Sequence, residues 1–283
     1  MGYAFDALWQ TLQQPLETFA GSEFFAALFG ALAGALSAFA IGRYSDHRAA
    51  VLSEIGACNA GIALAHNVIN TALTLKDQYV GGMLASYQRQ FAEFSAADEQ
   101  ALRTGIPDVY EAILDLRTLS KAFMPKDELQ DITLDRIKLS AVVPMLGVIV
   151  KQVIESLYSS LDGRNEVIKE MVGKPTSYTS PRYFGFRDSQ GHIDERFPDF
   201  LLAISMQTDD CVYFAMLLQD VLVDHGRTLR KTVRFKTPGI MTFNYEKPRV
   251  KGLLPAVSEY SDFERQFRPK FPEPFDGPAF RIS

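Results

Sequence analysis

The sequence predicts a mainly α-helical protein: one N-terminal transmembrane helix, then a cytoplasmic helical bundle, then a smaller C-terminal part containing a β-hairpin. Three observations carry this. Residues Phe24 to Gly42 read FFAALFGALAGALSAFAIG, with no charge and Ser37 as the only polar side chain. Apolar residues recur at mostly helical spacing through the middle of the chain, and two polar, aromatic segments near the end break that habit. With 47% hydrophobic residues, 21 Phe and only 22% charged residues, the 283-residue chain can bury a sizeable core, which excludes a disordered chain.

The predicted span fits a bilayer. Nineteen residues of helix reach roughly 28 Å, close to the ~30 Å thickness of the hydrocarbon layer. No Lys or Arg precedes Arg43, whereas Asp6, Glu17 and Glu23 do, so the basic start of a cleaved signal peptide is missing. Arg43 and Arg48 follow the span at once. The positive-inside rule then places the C-terminal side in the cytoplasm and the N-terminus outside, in a single pass of the inner (cytoplasmic) membrane. Ahead of the span, Phe5, Leu8, Trp9 and Leu12 fall at helical spacing before Pro15. Residues 1–23 are therefore expected to form an amphipathic extracytoplasmic segment at the interface.

Inside the span, residues 24–42, small side chains recur every four positions: Ala26, Gly30, Gly34, Ala38 and Gly42. Lipid tails are as apolar as leucine, so helices associate in a bilayer where small residues let their backbones approach. The stripe predicts a homo-oligomer, with the lipid bilayer and further copies of the chain as partners.

Residues 43–172 read as a helical domain. The first helix runs from Tyr44 to about Glu99, with Gly81-Gly82 bending or breaking it and Ser95 as an N-cap for a new start at Ala96. A further helix is expected from near Pro107 to before Pro125, and a long one from about Asp131 to Met171. The latter holds the apolar run Leu139 to Val150, too short for a second span and interrupted by Pro144 and Gly147. Another buried helix is expected from about Pro198 to Val223, and its Asp209-Asp210 pair needs partners or solvent. Cys58 and Cys211 sit in apolar helical patterns without a CxxC, as buried reduced thiols would.

Residues 173–283 read as an α+β part that binds a ligand or partner. Lys174 to Phe197 predicts two short strands around a Ser-Gln-Gly turn. Lys231 to Lys251 predicts a β-hairpin, with Val233, Phe235, Ile240, Phe243 and Tyr245 flanking a Thr-Pro-Gly turn. The last thirty residues, with Pro269, Pro272, Pro274 and Pro278, predict an irregular tail.

The chemistry is mostly a matter of absences. The chain has no Walker A, GxGxxG, GxSxG or HExxH pattern, and its four histidines are scattered without metal-ligand spacing. No cofactor, no metal and no catalytic residue is expected. Arg187 and His192 stand at an Arg-x4-His spacing that looks like the signature of the helical HEPN-type ribonucleases. That resemblance implies an Arg acting on RNA phosphate and a His acting as acid or base. Here the hexapeptide encloses Ser-Gln-Gly, which reads as an exposed turn.

Charge is uneven. Residues 1–160 carry 11 Lys/Arg against 17 Asp/Glu, and residues 161–283 carry 18 against 17. Arg227, Arg230, Lys231, Arg234, Lys236, Lys247, Arg249 and Lys251 cluster with only Glu246 opposing them, and Phe235, Phe243 and Tyr245 are interleaved. Cations on a rigid hairpin with aromatic neighbours can hold phosphates and stack a base, so a nucleotide or oligonucleotide is the expected ligand. Arg182 and Arg187 are expected to face the same site. Anionic lipid heads are a second way to use such a patch. The resulting expectation is an oligomeric membrane effector, an ion channel or pore gated by an anionic ligand. It resembles, in architecture only, the membrane effectors of bacterial antiphage systems. A membrane-tethered scaffold binding a regulatory protein partner and a membrane-anchored ribonuclease are the alternatives.

Overall fold

The computed structural model describes residues 23–104, 112–138, 142–188, 190–233 and 236–267. Among them the protein is mainly helical and has no strand. The elements are α1 (Glu23–Leu75), a π-helical turn (Lys76–Val80), α2 (Gly81–Thr104), α3 (Lys126–Asp131), a second π-helical turn (Ile132–Arg136), α4 (Val142–Met171), α5 (Thr176–Phe184), α6 (Arg196–Thr232), α7 (Glu246–Val250), a 3-10 turn (Val257–Tyr260) and α8 (Ser261–Phe267). The chain divides into two compact units between Ser53 and Glu54.

In the first unit the described residues belong to α1. Their large apolar side chains stand in the open: Phe29, Leu36, Phe39 and Ile41 are between 64% and 69% exposed. Three helical stretches are long and apolar enough to cross a membrane by length and composition: Ala27–Ala97, Val142–Met171 and Arg196–Thr232. None of the most apolar window of the first is buried, against 39% and 56% for the other two.

The second unit is a helical bundle built on α6. The 54–75 part of α1 runs antiparallel to α6, as paired positions along both helices show. Gly61 faces Leu222, and Lys76 ion-pairs with Asp209. Helix α4 is also antiparallel to α6, since Gly163 meets the Phe200 ring and Arg164 lies 5.3 Å from the Phe197 ring centroid. Both glycines are contact points: a Cβ on Gly163 would stand 2.3 Å from Phe200, and one on Gly61 would stand 2.9 Å from Leu222. Ile62, Val68 and Ile69 of α1, Val150, Ile154 and Leu157 of α4, and Val212, Leu218 and Leu222 of α6 form one continuous apolar core. A second core gathers aromatics from α2, α5 and α6, with Tyr183 and Phe197 stacked at 4.3 Å and Phe94 stacked on Phe184 at 5.0 Å.

Several expected boundaries are corrected. Ser95 is interior to α2 and caps nothing, because the helix that carries Phe91 and Phe94 into the aromatic core just before it continues to Thr104. Gly81-Gly82 does not break the helix; the distortion falls just before it, in the π-helical turn. Residues 112–125 form no helix. The expected helix from Asp131 is split by the second π-helical turn and by Ile137, which is extended. Pro144 then lies in the first turn of α4, where a missing N–H is harmless. Between 174 and 197 the structure has α5, closed by Gly185 in the left-handed region (φ 74), and a single bridge between Arg187 and Ile193 instead of two strands. Cys58 and Cys211 are buried free thiols, and burial pushes Cys58 up to about 12.

Candidate functional site

Two irregular stretches lie on the bundle as straps. In the first, residues 112–125, the backbone is held by side chains of α4. Asn165 accepts from Leu119 N (3.0 Å) and donates to Leu119 O (2.7 Å). Tyr158 donates to Ala122 O (2.6 Å) and accepts from Met124 N (3.1 Å). Arg164, fully buried, donates to Arg117 O (2.9 Å) and Asp115 O (3.4 Å). These bonds replace the i to i−4 ladder that a helix would need.

The second strap, residues 236–245, is where a β-hairpin was expected. No partner strand lies beside it among the described residues. Asn59 of α1 takes that role, donating to Gly239 O (2.8 Å) and accepting from Met241 N (2.9 Å). The side chains of the strap turn inward. Ile240 rests against Gly226, where a Cβ would stand 2.7 Å from its Cδ1. Phe243 stacks on His66 with centroids 3.5 Å apart. Tyr245 is buried and donates to Gln219 Oε1 (2.7 Å). Its one proton is thereby used, so at the 2.9 Å contact His66 Nδ1 must be the donor. His66 Nε2 is then free to accept from Asn70 Nδ2 (2.9 Å), so the ring is neutral with its proton on Nδ1. Burial lowers the His66 pKa, in keeping with that state. Beneath the strap Asp220 is buried with Oδ2 unpartnered, and burial raises its carboxyl to about 7.

The predicted basic site must be redrawn from these positions. Tyr245 is a core residue, and Phe243 is half-buried with its ring stacked on His66. Arg234 and Phe235 lie outside the described residues. Arg230 donates to Thr237 Oγ1 (3.2 Å), Arg227 pairs with Asp224 (3.4 Å), Arg249 with Glu246 (3.8 Å) and Lys251 with Asp77 (2.9 Å). Lys231, Lys236 and Lys247 are exposed. What remains among the described residues is an exposed cationic surface around Lys231, Lys236 and Lys247.

Arg182 and Arg187 find their partners within their own segment. Arg182 lies 4.0 Å over the Tyr178 ring and 3.9 Å from Asp194. Arg187 donates to Gly191 O (3.0 Å). Asp188 caps the turn by accepting from Gln190 N and His192 N (2.9 Å each), and these backbone donors hold its carboxyl below the usual range. Arg187 and His192 therefore sit on a tight turn, not on a helix as in the family their spacing resembles. Asp209 is answered by Lys76 and Asp210 by Tyr260 (2.9 Å).

Among the proposed packing residues, Gly30, Gly34 and Gly42 have nothing within 4 Å of where a Cβ would stand, and Ala38 is exposed. The Ala26 side chain and residues 1–22 lie outside the described residues. No group of three or more His, Cys, Asp or Glu that could hold a metal occurs among the described residues. Compared with family models, curated proteins and solved structures, the chain matches none.

Proposed function

We propose that the chain is a non-enzymatic, oligomeric membrane effector. Residues 24–42 cross the bilayer once, with the bundle on the cytoplasmic side. Copies pack through Ala26, Gly30, Gly34, Ala38 and Gly42. An anionic ligand engages the exposed cations Lys231, Lys236 and Lys247 with Arg227 and Arg230, and changes the permeability of a narrow, apolar path between the spans.

The observation that carries this reading is the contrast in burial among the three apolar helical stretches. Apolar side chains of α4 and α6 fill the bundle core, whereas none of the most apolar window of the first stretch is buried. An exposed stretch of that size needs lipid or another chain to cover it. The commitment of Tyr245 to the core and of Phe243 to the His66 ring favours contact with phosphates over stacking of bases.

The test is the mass and conductance of purified full-length protein. A defined multimer in detergent, reduced in size by Gly34→Leu, together with ligand-dependent current in planar bilayers, is the expected result. A monomer, or a silent bilayer with mono- and oligonucleotides alike, overturns the channel reading. A monomer that captures a cytoplasmic protein would support the tethered scaffold instead.

A further inference from the structure

A cavity of about 660 Å³ opens between α2 and residues 113–117 of the first strap. None of the residues predicted from sequence lines it. Its volume lies in the range of sites that hold small organic molecules. Ser86, Arg89, Gln90 and Glu93 reach it from successive turns of α2. Ile113, Leu114 and Leu116 supply an apolar wall.

Two cations, Arg89 and Arg117, and two carboxylates, Glu93 and Asp115, line this cavity, and Arg164 behind them makes the surroundings net positive. Asp115 and Arg117 neutralise each other through Nε (2.8 Å) and Nη2 (2.7 Å), and that pairing holds the Asp115 carboxyl below the usual range. Arg164 lies buried under the same stretch, with carbonyls as its hydrogen-bond partners, and adds a positive charge behind the wall. Arg89 is exposed and has no ion-pair partner among the described residues. Gln90 is buried; its Nε2 donates to Ser86 Oγ (3.1 Å), and its Oε1 is left without a donor. Whichever way the amide is turned, one of its polar atoms is unmatched.

The geometry points to a binding site for a nucleoside monophosphate. The phosphate lies on Arg89, the flat base lies against the Ile113–Leu116 wall, and the amino and ring-nitrogen edge of the base meets Gln90 and Ser86. This takes from the proposed function only the nucleotide class of ligand, and it locates a mononucleotide away from the cationic surface at 227–251.

The experiment is calorimetric titration of full-length protein in detergent with AMP, adenosine and inorganic phosphate. AMP is expected to bind saturably, with adenosine and phosphate each at least tenfold weaker. Arg89→Gln, at an exposed position that does not threaten folding, should weaken AMP at least tenfold and leave adenosine unchanged. Gln90→Leu should weaken both, and a Lys236→Gln/Lys247→Gln double variant should weaken neither. Absence of saturable AMP binding, or AMP binding untouched by Arg89→Gln, overturns the site. Loss of AMP binding in the double lysine variant also overturns it, while leaving the cationic surface as the ligand site of the proposed function.

Discussion

The two straps solve one problem by opposite means. Both are irregular stretches whose backbone polar groups need partners where no helix or sheet supplies them. The 112–125 strap is held from outside, by side chains that α4 extends to its backbone, while its own Phe123 is 74% exposed and Ile113 edges the open cavity. The 236–245 strap is held from inside. Asn59 fixes two of its backbone groups, and Ile240, Phe243 and Tyr245 sink into or against the core. The first strap adds a buried cation and side-chain hydrogen bonds from α4 to the apolar contacts of Leu116, Leu119 and Met124; the second combines apolar burial around a neutral imidazole with a single amide clamp.

The sharpest way to break this contrast is Arg164→Met. The methionine keeps much of the stem and removes the guanidinium, leaving the carbonyls of Asp115 and Arg117 without their donor. Losing charged donors to shielded carbonyls, with a void where the guanidinium stood, should cost about 4 kcal/mol. Denaturant unfolding of the solubilised protein measures it. Limited proteolysis should then cut within 112–125 and spare 236–245.

The second strap should respond to pH where the first does not. Asp220 has a folded pKa of about 7 against an unfolded value near 4, so the folded state holds the extra proton between those values. Its effect is destabilising above pH 7 and disappears as pH falls towards 4. His66 acts in the opposite direction: its folded pKa is lowered, so stability is lost as pH falls through the unfolded value near 6.5. Asp220→Asn should therefore raise stability at pH 8 by about 2 to 3 kcal/mol and give no gain at pH 4. Thermal unfolding across that range checks it; an equal gain at both ends would show that the carboxyl does not titrate in the fold.

Sequence reading reached the long helices and missed α5 and both straps, for a physical reason. Helix type follows from local periodicity, and the apolar positions of α1, α4 and α6 repeat at helical spacing over 30 residues or more. A strap is defined by what holds it, and its holders lie far away in sequence: Asn59 is 180 residues from Gly239, and Arg164 is 47 from Arg117. In the 236–245 segment the alternating Phe243 and Tyr245 suit a strand, so the local signal and the real packing share a pattern. The basic site suffered in the same way. The cationic residues were legible by composition, but only tertiary contacts reveal that Tyr245 is committed to Gln219 and that Arg249 and Lys251 already have acidic partners. The cavity lined by Arg89 and Gln90 left no sequence signal, because its two walls are separated by the residues between α2 and the first strap.

Asn59→Ala tests the clamp that stands in for a partner strand. It frees Gly239 O and Met241 N at a partly solvated site, where water replaces some of the loss, so the expected cost is about 1.5 kcal/mol. Hydrogen exchange at the Met241 amide should accelerate by roughly tenfold, following the ~1.4 kcal/mol per decade relation. Exchange at Leu119 and Met124, which belong to the other strap, should not change.

The smallest expected effect separates packing from hydrogen bonding in the second strap. A Cβ at position 226 would stand 2.7 Å from Ile240 Cδ1, 3.3 Å from its Cγ1 and 3.6 Å from the Cβ of Cys58. The nearest atom is the end of a flexible side chain, so Ile240 can give way by changing rotamer. Alanine also favours the helix over glycine by up to about 1 kcal/mol. The two terms oppose each other, and Gly226→Ala should change stability by no more than about 1 kcal/mol in either direction. The strap has a second hold at Tyr245, so the displaced Ile240 should not release it, and Met241 exchange should stay close to that of the unaltered protein. Fast exchange at Met241 in Gly226→Ala would mean that Ile240 packing, and not the Asn59 amide, sets the position of the strap.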